Sequence, residues 1–444
     1  MIDKDTFANL TAEYVTLGCK LNFSETSAIA EALAARGVTR VHPGDSADIV
    51  VINTCSVTAE ADKKCRQTIR SLARRHPGAV IAVTGCYAQL QPGEIASIDG
   101  VAIVAGNDRK GELVGYLEEY ITHKQQQLRI TPVDEIGRFT PSCSRGDRTR
   151  YFLKVQDGCD YRCSYCTIPM ARGRSRSASV ADIVAQARCV AAHGGREIVI
   201  TGVNIGDFGR REGLGENFFD LCRALDDVEG IDRYRISSIE PNLLTDPMIE
   251  WLATDSQRFM PHFHIPLQSG SDEVLHLMGR RYDTDLFRHK IEIIRALMPD
   301  AFIGVDLIVG ARGESLERFH ESKAFIESLN ISRLHVFTYS ERPGTRALAL
   351  DIRPVVSQEE KHRRTHEMIE VSERKLDIFS RRFIRQTRPL LLEHVAEDGS
   401  IAGFTDNYLR THIADATGLT PGDIVNVRLT DIRPDGEMTG EVES

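Results

Sequence analysis

The sequence predicts an α/β protein in three parts: a doubly wound parallel sheet, a partial barrel of parallel strands, and a small all-β barrel. Three observations carry that prediction. Between residues 11 and 123, continuous apolar runs such as Asp48–Asn53 (DIVVIN) and Ala79–Thr84 (AVIAVT) alternate with helical stretches. Such runs suit parallel strands buried on both faces. From Tyr151 to Thr338 roughly six further strand–helix repeats follow, the pattern of a barrel whose site lies at the strand carboxyl ends. After a charged helical stretch from Gln358 to Arg374, short β-rich segments are separated by Asp-Gly, Asp-Asn and Pro-Gly turns. At 444 residues, 41% hydrophobic and 27% charged, the chain has the size and composition of a soluble protein of two or three domains.

In the first part, Tyr14–Leu17 reads as a strand running into Gly18-Cys19-Lys20. A helix is expected from Ser24, as N-cap, to Arg36, stopped by Gly37. DIVVIN leads into Thr54-Cys55-Ser56 and a helix over Ala59–Arg75; AVIAVT leads into Gly85-Cys86-Tyr87. Val101–Ala105 is a fourth strand, with a helix from Lys110. Cys19, Cys55 and Cys86 each therefore follow a strand's carboxyl end, where ligands gather in open α/β sheets. Three convergent thiols suggest an iron–sulfur cluster one ligand short of four. Three unrelated cysteines are the alternative, since Cys is a common buried residue. Cys65, Cys143, Cys189 and Cys222 have no partner at ligand spacing and read as ordinary thiols.

Residues 124–144 are polar with scattered Pro and Gly and read as a linker, between an N-terminal domain over 11–123 and a central domain over 145–375. The central domain opens on its most informative stretch, Asp157–Ser177 (DGCDYRCSYCTIPMARGRSRS). Cys159, Cys163 and Cys166 stand there in C-x3-C-x2-C spacing, a soft-ligand set suited to zinc or iron–sulfur clusters. A structural zinc site wants four ligands, and no fourth Cys or His lies in this loop. A cubane held through three irons instead leaves its fourth iron open to a small molecule. A three-Cys zinc site and three structural thiols remain the other readings. Tyr165 adjoins the last cysteine, and Gly195, Glu197, Asn204, Ser238, Glu240, Gln268 and Asp306 fall near predicted strand ends. Together they make candidate cofactor contacts at one rim; singly, each also serves as a turn or cap residue.

The last segment, 378–442, reads as the small barrel, with strands at Pro389–Glu393, Ile401–Phe404, Tyr408–Ile413 and Ile424–Ile432. Arg381 and Arg382 lead into it, and Phe404, Tyr408 and Arg410 mix aromatic with basic character as an RNA-facing surface does. A plain structural barrel is the alternative. The net charge of −9 gives no global attraction for nucleic acid, so local patches matter more. Lys63–Arg75 holds six basic residues and no acidic one, which makes Lys63, Arg66 and Arg70 candidate phosphate contacts or simply a solvated face. Arg145–Arg176 holds eight basic residues against three aspartates. The start, MIDKDTFANLTAEYVTLG, has no basic segment leading into an apolar core, and no apolar run approaches a membrane span. Ten cysteines without an export signal argue for metal or catalysis in a reducing compartment, the cytoplasm, rather than for disulfides.

C-x3-C-x2-C resembles the signature of the radical S-adenosylmethionine (SAM) enzymes. The order of three spaced cysteines, that loop and a terminal β-barrel resembles one branch of them, the methylthiotransferases, over nearly the whole chain. Their terminal barrel is the TRAM domain. The stretches TLGCKLNFSET, INTCSVTAEADKKCRQ, GVNIGDFG, RISSIEP, HIPLQSGSDEVL and GFTDNYLR are most similar to members that modify N6-threonylcarbamoyladenosine beside the tRNA anticodon. Members acting on isopentenyladenosine more often read GCQMN at the first cysteine, and those acting on a ribosomal-protein aspartate GCPKN. The resemblance implies two 4Fe–4S clusters, with Cys159, Cys163 and Cys166 holding the one that cleaves SAM to a 5′-deoxyadenosyl radical. Cys19, Cys55 and Cys86 would hold the auxiliary cluster carrying the sulfur. One SAM would methylate that sulfur and a second would activate C2 of the adenine, cofactors carrying the hard chemistry. Implied partners are the tRNA anticodon stem-loop, a reductase or flavodoxin-type electron donor and a sulfur donor, with no membrane. An iron–sulfur RNA-binding protein without catalysis would fit the terminal barrel but leave the open iron without purpose. One departure stands out. The family's usual GFPGE is Gly310-Ala311-Arg312-Gly313-Glu314 here, which puts the adenine side of the SAM site in question and makes Arg312 a candidate phosphate contact.

Overall fold

The structure, a computed structural model, describes residues 6–144, 149–211, 213 and 215–443. Arg145, where the expected central domain and the second basic run begin, lies outside the described residues.

The first six strands are β1 (Thr11–Thr16), β2 (Thr39–Arg40), β3 (Ile49–Thr54), β4 (Val80–Gly85), β5 (Val101–Ala105) and β6 (Gln127–Arg129). They form one sheet in the order β2-β1-β3-β4-β5-β6, with every pairing parallel. β3, β4 and β5 are buried at every residue, because helices cover both faces of the sheet. Ile49, Val51 and Ile103 pack into one core, and the alternate residues Val50, Ile52 and Val104 into the other. The first helix differs from expectation. It spans Lys20–Ala34 with Cys19 at its N-cap, and Ser24 lies buried inside it with its hydroxyl on the Ser142 hydroxyl at 2.8 Å. The earlier start follows from Asn22, whose amide donates to the carbonyls of Leu17 and Thr54 at 3.0 Å each and ties the first turn to the sheet.

The second set comprises β7 (Ser142–Cys143), β8 (Arg150–Lys154), β9 (Gln156–Asp157), β10 (Arg176–Ser177), β11 (Glu197–Thr201), β12 (Arg233–Ile236), β13 (His262–Gln268), β14 (Phe302–Val309) and β15 (Arg333–Thr338). Six of these, β8, β11, β12, β13, β14 and β15, are the parallel staves of the expected partial barrel. They form two sheets, β12-β11-β8-β7 and β13-β14-β15, joined by bridges at Tyr234–Phe259 and Ser238–His264. The barrel is open at β15. The C-x3-C-x2-C loop follows β9 and is pinned by the short β9–β10 pairing of Asp157 with Arg176.

A long helix, Gln358–Arg381, crosses to the last set: β16 (Thr387–Val395), β17 (Ile401–Thr405), β18 (Arg410–Ile413), β19 (Ile424–Ile432) and β20 (Met438–Val442). These close into a barrel ordered β16-β17-β18-β20-β19. The fifth strand was not foreseen, because Met438-Thr-Gly-Glu-Val is short and interrupted by glycine. Gly440 is needed there, since a Cβ would meet the Val427 side chain at 2.3 Å. Among the described residues no helix is long and apolar enough to cross a membrane.

The small barrel sits beneath the amino ends of the central strands. Arg233 donates to the carbonyls of Phe404 (3.1 Å) and Pro389 (2.9 Å), and Arg235 to those of Thr405 (2.7 Å) and Asp406 (2.9 Å). The Tyr408 ring lies 4.0 Å from the His262 ring and stacks on Phe404 at 4.7 Å. Arg150 lies over Phe404 at 4.4 Å and bridges to Glu393. Phe404 and Tyr408, expected to face RNA, instead build this junction with the central barrel.

Candidate active site

Cys159, Cys163 and Cys166 share one loop at the carboxyl end of the central strands. Gly158, at φ +71°, makes the turn possible: a Cβ there would meet the Arg174 carbonyl oxygen at 2.1 Å. Each thiol faces a donor. The Tyr161 N–H points at Cys159 Sγ (3.3 Å), the Ile168 N–H at Cys166 Sγ (3.4 Å) and Arg280 Nη1 at Cys163 Sγ (3.2 Å). Burial, with the negative charge of the neighbouring sulfurs, pushes the Cys159 and Cys166 thiols up to about 12. Protonated thiols are poor ligands, whereas a bound cation deprotonates them outright. Donors already aimed at sulfur are what iron–sulfur thiolates use. The donor set thus fits a cubane cluster. Arg280 was not singled out by sequence. Its guanidinium is buried between Cys163, Glu240, the Tyr282 hydroxyl (3.0 Å) and the Tyr165 hydroxyl (3.4 Å), and no spacing rule marks it.

Cys19, Cys55 and Cys86 also come together. Burial and then the negative charge of Cys86, with Cys19 adding, push the Cys55 thiol up to about 12. Two glycines permit the approach. A Cβ at Gly18 (φ +124°) would stand 2.8 Å from the Cys55 Cβ, and one at Gly85 (φ +104°) would strike the Thr54 carbonyl oxygen at 2.3 Å. Cys65, read as an ordinary thiol, donates to the Cys55 carbonyl at 3.3 Å.

A buried ionic network joins the two cysteine groups. Glu25, on the helix after Cys19, takes Lys110, Lys154 (2.9 Å) and Arg172 (3.0 Å), while Asp157 takes Lys154 (2.8 Å), Arg172 (2.9 Å) and Arg176 (3.0 Å). All six side chains are at most 4% exposed. Arg172 further donates to Asn22 at 2.7 Å, the residue that fixes the Cys19 turn. One guanidinium therefore spans the Cys159–Cys166 loop and the Cys19 loop. The only sequence signal for Arg172 is its place in the basic run ARGRSRS.

Six of the eight expected cofactor contacts gather near the Cys159–Cys166 loop or on the inner barrel wall below it. Tyr165 is half-buried there and Glu240 pairs with Arg280, its carboxyl raised by burial against that arginine. Asn204 donates to Asp207 (3.0 Å) and reaches Cys159 Sγ (4.0 Å), leaving its buried carbonyl oxygen without a partner. Gln268, at φ +70°, has a buried unpartnered Oε1. Ser238 bridges to His264, whose Nε2 lies 2.6 Å from Asp306. A cavity of about 300 Å³ beside Cys166 is lined by Tyr165, Gln268, Ile308 and Tyr339, with Val57 and Thr58 from beyond Cys55. Gly195 and Glu197 are corrections. They stand at the amino end of β11, where Gly195 packs close to Val190 and Tyr151 and Glu197 binds Arg235 at 2.9 Å beneath the barrel. Both precede or open the strand Glu197–Thr201, and the end that meets the cysteine loop is the opposite one, past Thr201.

Arg312 makes no phosphate site: it binds Glu341 at 2.8 Å. Ala311 is buried with Val274, Met278 and Tyr339, and Glu314 holds the Gly310 N–H at 2.9 Å, so the departing loop is well anchored. Of the expected RNA contacts, Lys63 and Arg70 are exposed on the helix Ala59–Arg75, while Arg66 is tied to the Tyr87 hydroxyl (2.8 Å) and Glu94 (3.3 Å). Arg381 pairs with Asp377, Arg382 with Asp300, and Arg410 with Glu393 and Glu437.

Residues 11–106 match the family described as "Uncharacterized protein family UPF0004", and residues 153–326 the Radical SAM superfamily. The chain is 37% identical over 432 residues to "Threonylcarbamoyladenosine tRNA methylthiotransferase MtaB" of Bacillus subtilis (strain 168), covering 94% of this chain and 93% of the relative. It is 34% identical over 433 residues to the protein of the same name from Thermotoga maritima, covering 97% and 96%. A relative from Thermobifida fusca (strain YX), named "tRNA-2-methylthio-N(6)-dimethylallyladenosine synthase", is 32% identical over 96% of this chain and 87% of its own. The fold resembles that of the radical S-adenosylmethionine methyltransferase TsrM from Kitasatospora setae, with a TM-score of 0.55 at 14% identity over 74% of this chain and 73% of that one. With the cysteine loop, the strand order and these relatives in agreement, the chain belongs to the radical SAM methylthiotransferases, the family of the enzymes named MtaB.

Proposed function

We propose that this protein transfers a methylthio group to C2 of N6-threonylcarbamoyladenosine beside the anticodon of tRNA. The observation that carries the reading is the pairing of two separate thiol trios, tied to each other by Arg172. Methylthiolation needs both a centre that generates a radical and a second that presents sulfur. A 4Fe–4S cluster on Cys159, Cys163 and Cys166, when bound, supplies reductive cleavage of SAM. The protein's share is then positional. The N–H groups of Tyr161 and Ile168 and the Arg280 guanidinium stabilise the thiolates. Tyr165 and Gln268 wall the cavity beside Cys166, and the unpartnered oxygens of Asn204 and Gln268 are available to SAM. Cys19, Cys55 and Cys86 suit the auxiliary 4Fe–4S cluster, the glycines at 18 and 85 letting their loops approach Cys55 and Thr54 closely. An electron donor and a sulfur donor are required partners, and the cytoplasm is the compartment that suits them.

In this reading the parts divide near 11–123, 124–144, 145–375 and 378–442, except that β6 of the expected linker belongs to the first sheet and β7 to the central one, and the exposed Lys63 and Arg70 follow the RNA backbone. The relative from Thermobifida fusca favours a second reading, the same chemistry on dimethylallyladenosine. The cysteine assignment is tested by two variants assayed for 5′-deoxyadenosine and for methylthio nucleoside. Cys163→Ala abolishes both; Cys55→Ala retains SAM cleavage and loses the methylthio product. Methylthiolation unchanged in either variant contradicts the two-centre assignment.

A further inference from the structure

The barrel's open side has a polar wall that the cysteine chemistry does not use. Between β15, the helix Gln358–Arg381 and the β19–β20 turn lies an opening of about 620 Å³. Its strand wall includes Arg333, His335 and Phe337, which pair in register with Gly304, Asp306 and Ile308 of β14. Leu334, between them, points the other way into the core with Val305 and Leu307. Alternation therefore turns Arg333, His335 and Phe337 toward the barrel interior. Phe337, 53% exposed, also lines the cavity beside Cys166, so the two spaces share a wall. A nucleotide entering from the side would pass along this row toward the SAM pocket.

The row has a chemical character. Asp377 and Asp435, acids of the same opening, are paired with Arg381 and Arg433, and Glu373 on the helical wall is the remaining acid. Arg333 is exposed and has no ion-pair partner among the described residues. Behind it the His335 ring adjoins His264 at 5.0 Å, which in turn bonds Asp306. Burial, then the charge of His264, lowers His335 to about 4, so at neutral pH it presents an uncharged imidazole. A threonylcarbamoyl group carries a carboxylate, a hydroxyl and a urea. A dimethylallyl group carries none of these and would leave such a wall unpaired.

Resting on the function proposed above, we infer that Arg333 and His335 are the specificity-determining residues for the N6 substituent. Arg333 pairs with its carboxylate and His335 donates to its urea oxygen, while Phe337 lies against the base. The wall thereby selects an acidic adenosine substituent over an apolar one.

The test is anaerobic binding of cluster-reconstituted protein to anticodon stem-loops carrying either threonylcarbamoyladenosine or plain adenosine. The native protein is expected to bind the modified stem-loop more tightly. Arg333→Ala weakens that binding by about tenfold, the loss of one charged hydrogen bond, and leaves the plain stem-loop within about twofold. Arg333→Lys, which keeps the charge, recovers part of the difference, and His335→Gln holds more of it than His335→Ala. An unchanged ratio between the two stem-loops in both alanine variants overturns the inference while the proposed function stands. Native protein that methylthiolates dimethylallyl-modified tRNA and not threonylcarbamoyl-modified tRNA overturns both.

Discussion

At the scale of single residues, the site depends on charges taken out of water. Glu25 shows the balance most clearly. Burial would push its carboxyl up, yet Arg172, Lys110 and Lys154 hold it well below the ordinary value of 4.5. A carboxyl whose folded value is depressed stabilises the fold above its ordinary value, and that contribution drains away as pH falls through the folded value. The unfolding free energy of the cluster-free protein, measured in urea, should therefore decline as pH drops below about 4.5. Glu25→Gln should lower stability at neutral pH and flatten the acid dependence. An acid limb equally steep in that variant would remove Glu25 from the account. Replacing a buried ionic network by apolar residues is often neutral for stability. What this one achieves is geometry: its hydrogen bonds fix Arg172 against both cysteine loops at once. That Cys159, Cys163 and Cys166, and Cys19, Cys55 and Cys86, come together was legible in the sequence from their spacing and their place after strands. Arg172 and Arg280 were not, because an arginine's burial is decided by what folds over it.

Among elements, the junction beneath the barrel is the clearest departure from the sequence reading. Glu197, Arg233 and Arg235 stand at the entry of β11 and β12, and the two arginines reach across to four carbonyls of the small barrel. The Glu197 Oε2 already lacks a hydrogen bond, with Arg233 at 3.9 Å. Arg235→Ala would leave that carboxylate nearly unpaired, at a cost of about 3–5 kcal/mol. Hydrogen exchange should accelerate in β17, whose Thr405 carbonyl Arg235 holds, while β3 and β4 remain protected. Equal protection in β17 would show that the junction does not rest on Arg235. Apolar runs such as DIVVIN identify a buried strand by themselves. Glu197 opens such a run at its amino end, and in a barrel of parallel strands only the carboxyl end meets the cofactor loop. Aromatic and basic residues mark RNA surfaces and domain junctions alike, and Phe404 and Tyr408 turned out to serve the latter.

Across the whole molecule, the two outer parts meet opposite ends of the central strands. The small barrel closes the amino ends of the central strands, and the first sheet brings Val57, Thr58 and its cysteines to their carboxyl ends. The lateral mouth at β15 stays open to a substrate larger than the cavity can enclose. This arrangement suits an enzyme that takes one nucleotide of a folded RNA inside and leaves the remainder outside. The most direct measurement is mass spectrometry of nucleosides from threonylcarbamoyl-modified tRNA, after anaerobic incubation with the reconstituted protein, SAM, reductant and sulfide. A nucleoside heavier by one methylthio group in place of hydrogen is the predicted result. Formation of 5′-deoxyadenosine with the nucleoside unchanged would contradict the assigned substrate.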